Sequence, residues 1–323
     1  FADDPSILRA CTAPTPVSPV FLDLPLLTGE EVPHAPHFAA TANPWPGSVA
    51  LYASDENARF SLNKIFAART PVGVLETPLN PGPRGRIDRT EVVQVRMLSG
   101  QLESISDLAF LNGGNLCAIG DGTPDNWEVV QFRDVELVDV NTYLLRHRLR
   151  GQGGTDRGTA WPEGSYLVRL DGSPQQIELA EAKRGLARYY RIGPASRPLD
   201  DPSYSAARLA FDGIGLRPLS PVHLRISGTA GADRALTWIR RTRIDGDRWD
   251  TPDVPLGEEA ESYLVRVMKD EQVIREETVA TPTWTYTSSM QTADALTGAY
   301  DLKVAQISAR FGPGRFATLT VAA

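Results

Sequence analysis

The residues with most chemical promise are four histidines, two cysteines and a few clustered acids. His34-Ala35-Pro36-His37 sets two imidazoles three apart, with Glu30 and Glu31 close by. A transition metal needs three or four ligands from a fixed frame, and Pro36 argues against the helix that would present both rings. A surface turn is the expected outcome. His147 lies in Arg146-His147-Arg148, and two flanking cations oppose a further proton, so a structural or interfacial role is expected. Asp245-Gly246-Asp247-Arg248-Trp249-Asp250 offers three oxygen ligands for Ca²⁺, but Arg248 sits among them and no Glu completes a known loop; a hairpin turn is expected. Glycoside hydrolysis needs carboxylates about 5–9.5 Å apart in space. Asp55-Glu56 and Asp125 beside Trp127 are the nearest candidates, and exposed loop acids are the expected outcome.

Leu149-Arg150-Gly151-Gln152-Gly153-Gly154-Thr155-Asp156-Arg157-Gly158 invites a phosphate-loop reading. A dinucleotide fingerprint needs a third glycine where Asp156 stands, and a Walker loop needs a Gly-Lys-Ser/Thr ending. The segment leads into no clear helix, so a helix-terminus anion site is not expected. A tight turn, or two backbones in close approach, is the reading, with Arg150 or Arg157 free to pair with a neighbouring chain. No Gly-x-Ser-x-Gly elbow, His-Glu-x-x-His pair or kinase set occurs. No catalytic residue, cofactor or metal is therefore assigned. Trp45, Trp127, Trp161, Trp249 and Trp284 sit beside turns; stacking on sugar rings is one use, and apolar anchoring of a loop or subunit contact is the more ordinary one.

The chain of 323 residues has 33 Lys and Arg against 40 Asp and Glu, a net charge of −7. That length suits two or three domains, and the acidic balance disfavours coating nucleic acid or an anionic membrane. Cys11 and Cys117 exclude a disulfide scaffold and Cys-rich zinc modules; two reduced, buried thiols are expected. No run approaches the ~20 apolar residues of a membrane span, and no basic start precedes an apolar stretch, so neither span nor signal peptide is expected. The first residue is Phe1, which reads as part of a longer or processed chain.

Gly and Pro together are about a sixth of the chain, favouring turns and short strands. Residues 1–47 are Pro-dense and read as an extended docking segment anchored by Val20-Phe21-Leu22. Residues 48–216 read as a β-rich region with a candidate split near 150. They include strands at Val92–Met97, Glu128–Phe132, Val135–Val138 and Tyr143–Arg146, and a short helix near Ile105–Leu111. Ile177–Ile192 fits either helix or strand. Arg217-Pro218-Leu219-Ser220-Pro221 is a stiff linker. Residues 217–323 then show seven strand-like segments: Val222–Ser227, Ala235–Arg243, Tyr263–Met268, Val273–Val279, Trp284–Thr287, Leu302–Ser308 and Phe316–Val321. Seven short alternating strands indicate an immunoglobulin-like sandwich. A Trp on the second strand and Tyr300 starting the sixth resemble the fibronectin type III pattern.

Several motifs occur in a telling order: Phe21-Leu22-Asp23-Leu24-Pro25, Pro44-Trp45-Pro46-Gly47, Leu149-Arg150-Gly151-Gln152-Gly153-Gly154-Thr155, Trp238-Ile239-Arg240-Arg241-Thr242-Arg243, Val254-Pro255-Leu256-Gly257-Glu258 and Ala305-Gln306-Ile307-Ser308. Together they resemble the C-terminal part of the large tail-tip protein, the baseplate megatron or host-specificity protein, of gene transfer agents and related long-tailed, siphovirus-like phages. The resemblance spans nearly the whole chain. It implies a mainly β, multi-domain virion component: tail-hub-like domains followed by a fibronectin type III-like sandwich. It also implies a homotrimeric hub that closes the distal tail tube and contacts the distal tail and other baseplate proteins. Such a hub takes part in host attachment and meets DNA only in transit, without stable membrane insertion. The family's glycoside-hydrolase-like module lies upstream of this part. The structural or interface positions carried over are Arg150, Gly151, Gly154, Thr155, Trp238, Arg240, Arg241 and Arg243. Gly153 departs from the pattern, standing where Arg or another large residue is expected. Two competing expectations remain: a receptor- or surface-glycan-binding terminal sandwich, and a hydrolase acting on cell-wall glycan.

Overall fold

A computed structural model describes residues 16–244, 246 and 254–322. Cys11, and the Asp245, Asp247, Arg248, Trp249 and Asp250 of the candidate Ca²⁺ turn, lie outside the described residues.

In chain order the first elements are β1 (Ser18–Leu22), β2 (His37–Thr41), β3 (Val49–Ser54), β4 (Ser61–Phe66), β5 (Val72–Leu75) and β6 (Val93–Met97). Helix α1 (Asp107–Leu111) is followed by β7 (Leu116–Gly120), β8 (Trp127–Asp139), β9 (Thr142–Gln152) and β10 (Tyr166–Arg169). Then come β11 (Gln175–Gln176), β12 (Arg188–Pro194) and β13 (Ser205–Leu209). Sheet β13-β12-β3-β4 faces sheet β1-β2-β11, while β10-β5-β6-β9-β8-β7 closes into a barrel.

The β1–β2 hairpin is the centre of this stack because its period-2 alternation is apolar on both faces. Phe21, Phe38 and Ala40 pack with Leu51, Phe66, Tyr190 and Ile192 on one side. Val20, Leu22 and Ala39 pack with Val72, Ala118, Trp127 and Val168 of the barrel wall on the other. Over residues 16–47 the Pro-dense segment holds the two extended strands β1 and β2, and its anchors Val20, Phe21 and Leu22 dock on this chain. The barrel encloses Val95, Met97, Cys117, Ile119, Phe132, Trp161 and Leu167. Trp127, Trp161 and Trp284 are buried, so each anchors an adjoining turn from within.

The last part comprises β14 (Val222–Ser227), β15 (Arg234–Ile239), β16 (Tyr263–Lys269), β17 (Gln272–Val279), β18 (Thr283–Tyr286), helix α2 (Ser288–Asp294), β19 (Tyr300–Ser308), β20 (Gly312–Pro313) and β21 (Ala317–Val321). Sheet β14-β15-β18 faces β17-β16-β19, with β21 paired to β19. Three strands facing β17-β16-β19-β21, with the two-residue β20 as a fifth strand also paired to β19, is the fibronectin type III-like arrangement. Its core holds Leu236, Trp238, Tyr263, Val265, Val267, Trp284 and Tyr286, on the faces that the sequence alternation assigns. The chain is thus mainly β and multi-domain, with a C-terminal fibronectin type III-like sandwich.

Two local expectations differ from the structure, and one open alternative is resolved. Glu128–Phe132 and Val135–Val138 are one strand, because the pairing with β9 runs on through Phe132, Asp134 and Val135. The open alternative over 177–192 resolves as a 3₁₀ turn at Glu181–Lys183 followed by strand β12, which takes up Tyr189–Ile192. Helix α2 was not expected; Thr287 caps it by accepting from the Met290 N–H. Among the described residues no helix is long and apolar enough to cross a membrane.

Candidate functional site: the barrel–sandwich junction

In strand β9 Leu145 fills the barrel core and Arg146 points outward; His147, with a φ of 50°, switches the alternation so that Arg148 and Arg150 turn inward. Arg150 meets Glu128 of β8 in a two-pronged pair, Nε to Oε1 and Nη2 to Oε2, each 2.8 Å. Both side chains are buried, at 2% and 1% exposure. Buried carboxylates need every lone pair engaged, and Glu128 also accepts from Trp161 Nε1 (2.8 Å) and from the Gly151 N–H (3.0 Å). Arg150 Nη1 donates to the Asn80 carbonyl. A second buried pair joins Arg148 to Asp88 at 2.9 Å. Arg150 is therefore spent inside its own chain, which corrects the expectation that it is free to pair with a neighbour. Arg157 instead lies over the Trp161 ring at 4.1 Å and donates to Asn126 and Thr159.

The glycine knot closes this end of the barrel. Gly151, Gly153 and Gly154 all have positive φ, at 62°, 61° and 71°, a region that side chains oppose. Thr155 locks the turn: its Oγ1 accepts from the Val129 N–H (2.8 Å) and donates to the Gln152 carbonyl (2.7 Å). Gly153 stands against Pro25, whose Cγ would be 2.7 Å from an added Cβ. This is why the large residue expected there is not accommodated.

The sandwich meets the knot through the linker. An added Cβ at Gly154 would reach Leu219 Cδ2 at 2.6 Å. Arg241 donates to Ser220 O and Oγ, each at 2.8 Å, and burial lowers its proton affinity. Arg243 pairs with Glu258 at 2.9 Å and donates to the carbonyls of Gly215 and Gly257. Arg240 donates to the Pro255 and Val254 carbonyls. Trp238 is a core residue, edge-on to Tyr263 at 5.1 Å. Arg315 Nη1 reaches the Asp156 carbonyl at 2.6 Å, and Arg84 pairs with the Asp156 carboxylate. Both motifs singled out in the sequence therefore converge on one junction, where guanidinium groups hold carbonyls and carboxylates in place.

A groove of about 1020 Å³ runs along the junction, lined by Pro25, Leu27, Gly153, Arg217, Arg243 and Glu258 among others. Beneath it Asp23 accepts the N–H groups of Gly213 and Ile214, each at 2.8 Å. Burial, offset by those hydrogen bonds, pushes its carboxyl up to about 6. Arg217, half-buried nearby, is brought down to about 10 by burial and by Arg315.

The other candidates fall apart from this junction. His34 Nε2 contacts the Leu179 carbonyl at 2.9 Å, and burial holds His37 below its ordinary value. Glu31 caps the backbone of residues 27–29. His147 pairs with Asp134 beside Arg133. Asp55 bridges Lys183 and Arg188, and Glu56 pairs with Arg59. Asp125 is exposed while Trp127 is buried. Among the described residues no group of three or more His, Cys, Asp or Glu side chains could hold a metal ion. Glu128, Asp88 and Asp23 were missed as partners in the sequence. For Glu128 and Asp23 the available signal was an acid within an apolar run, which burial makes costly without a partner; Asp88, in Arg86-Ile87-Asp88-Arg89, carries no such signal.

No curated protein matches the chain. Solved structures similar to it include domains d3–d4 of the rat CD45 extracellular region, at 9% identity, with 46% of this chain and 70% of that chain covered and a TM-score of 0.26. The FN1–FN3 domains of chicken CNTN1 are similar at 15% identity, 76% and 67% coverage and a TM-score of 0.23. Titin domains A168–A170 are similar at 11% identity, 96% and 99% coverage and 0.24. The sandwich assignment rests on strand order and not on these scores. Residues 70–168, which run from just before β5 into β10 and so span the closed barrel, match the family described as Rcc01698-like, C-terminal.

Proposed function

We propose that this chain is a structural segment of a phage-like tail tip of the gene-transfer-agent type, part of the hub that closes the distal tail tube. The observation that carries the reading is the family match over the barrel, residues 70–168, which fits a gene-transfer-agent context. The ordered motifs from Phe21 to Ser308 support the finer placement at the tail tip. The physical build is compatible with it: the arginines of the junction serve as struts between barrel and sandwich. In this reading the chain is not an enzyme. It stands in several copies around the tail axis, three by family resemblance, contacts the distal tail and baseplate proteins, and meets DNA only in passage.

The test is electron microscopy of intact particles from the source, with this chain located by a tag at its C-terminus. Density repeated around the tail axis at the distal tip is the expected result. Density on peripheral fibres alone would move the reading to receptor binding, and particles lacking the chain would overturn it.

A further inference from the structure

Sheet β13-β12-β3-β4 buries one face; on the other, Tyr204 covers Gly193 and lies beside Tyr52, while Tyr189, Arg191, Arg208, Leu62 and Ile65 stay partly or fully exposed. The register sets Arg191 opposite Tyr52, Tyr189 opposite Arg208, and Tyr52 opposite Leu62. These residues and Ile65 point outward, because Leu51, Ala53, Tyr190 and Ile192 on the alternate positions fill the core. No Asp, Glu or Lys occupies an outward position of these four strands. Leu62 and Ile65 are half exposed. Neither Arg191 nor Arg208 has a carboxylate partner among the described residues. Each guanidinium lies instead over a ring, Arg191 over Phe60 and Arg208 over Tyr189, both at 5.5 Å. Stacking on a ring leaves the N–H donors unspent. Aromatic residues and Arg with few other charges make the composition of a protein–protein contact.

A second open surface has the complementary character. The β8–β9 hairpin runs on past β7, and at its tip Leu137, Val138 and Val140 are 64%, 46% and 81% exposed. Asp139 lies between them with no cation partner among the described residues, and is the acid that gives the tip its charge, since Glu136 is paired with Arg146. Val138 is nine residues along β8 from Val129, which packs on the β1–β2 hairpin, so the tip lies at the end of β8 away from that contact. The open sheet face lies on the far side of the same layer. One molecule cannot bring the two together.

We infer that copies of this chain associate head to tail, the acidic apolar β8–β9 tip of one seating on the arginine-aromatic face of β13-β12-β3-β4 of the next. Charge complementarity selects this pairing: a face-to-face contact would set Arg191 and Arg208 against their own copies. The inference uses only surfaces of this chain. Failure of the particle experiment would leave it standing, and its own failure would leave the tail-tip reading standing.

The test is sedimentation velocity on the chain at rising concentration, with far-UV circular dichroism as the fold check. Concentration-dependent association is expected, weakening as salt is raised. Asp139→Arg, or Arg191→Glu with Arg208→Glu, should each weaken it about tenfold or more, and mixing the two variants should restore pairwise association. A chain that stays monomeric, variants that associate like the parent, or a mixture that fails to recover would each overturn the pairing.

Discussion

Gly154 of the barrel lies directly beneath Leu219 of the linker, so close that a Cβ at Gly154 would sit 2.6 Å from Leu219 Cδ2. The backbone there has φ of +71°, so Gly154→Ala meets strain and crowding together. A cost of about 1–3 kcal/mol is expected, along with faster proteolysis in the linker as the sandwich loosens from the barrel. Gly158→Ala is the control, because nothing lies within 4 Å of its added Cβ and its φ is ordinary. Equal behaviour of the two variants in denaturant titration and proteolysis would show that the knot does not seat the linker.

Arg150→Met should be among the most damaging substitutions in the barrel. It strands the Glu128 carboxylate at 1% exposure, and breaking a buried pair from one side costs about 3–5 kcal/mol. Removing both charges, as Arg150→Met with Glu128→Leu, should recover a large part of that loss, because no unpaired charge remains. A double-mutant cycle by urea denaturation reads the coupling; additive single losses would mean that the pair is not a unit.

The sandwich was the most legible part of the sequence. Its strands alternate cleanly, as in Leu236 and Trp238 against Thr237 and Ile239, and one solvated face makes such a pattern readable. The β1–β2 hairpin was not legible because it is apolar on both faces and broken by prolines, which hides its period. The junction was half legible. Arg150, Gly154, Arg241 and Arg243 stood out as residue types, but their partners Glu128, Ser220 and Glu258 lie far away in sequence, and no local rule joins them. The glycine knot gave a turn but not what it turns against, which is Pro25 and Leu219.

Asp23 gives the junction a pH dependence of definite sign. Its carboxyl is pushed from an ordinary 3.8 up to about 6, chiefly by burial, so folding takes up a proton between those values. The stabilising contribution is fully present below about pH 3.8 and is lost as pH rises through 6. Asp23→Asn removes the titration and keeps one acceptor for Gly213 or Ile214. The parent should therefore gain on the variant by about 2 kcal/mol as pH falls from 8 to 4. Urea denaturation of both proteins across that range checks it, and a constant gap would refute the buried, titrating Asp23.

Cys117 offers a reporter of barrel opening. It lies at 0% exposure among Ile119, Val130 and Leu167, its Sγ donates to the Val130 carbonyl, and burial pushes the thiol up to about 12. Only the thiolate attacks a disulfide reagent, so a native barrel should leave Cys117 unlabelled at neutral pH. In a Cys11→Ser background, labelling should run at the rate or population of barrel opening. Glu128→Gln, which weakens the pair holding β8 to β9, should speed it. Rapid labelling of the folded chain, unchanged by Glu128→Gln, would mean that solvent reaches Cys117 without the barrel opening.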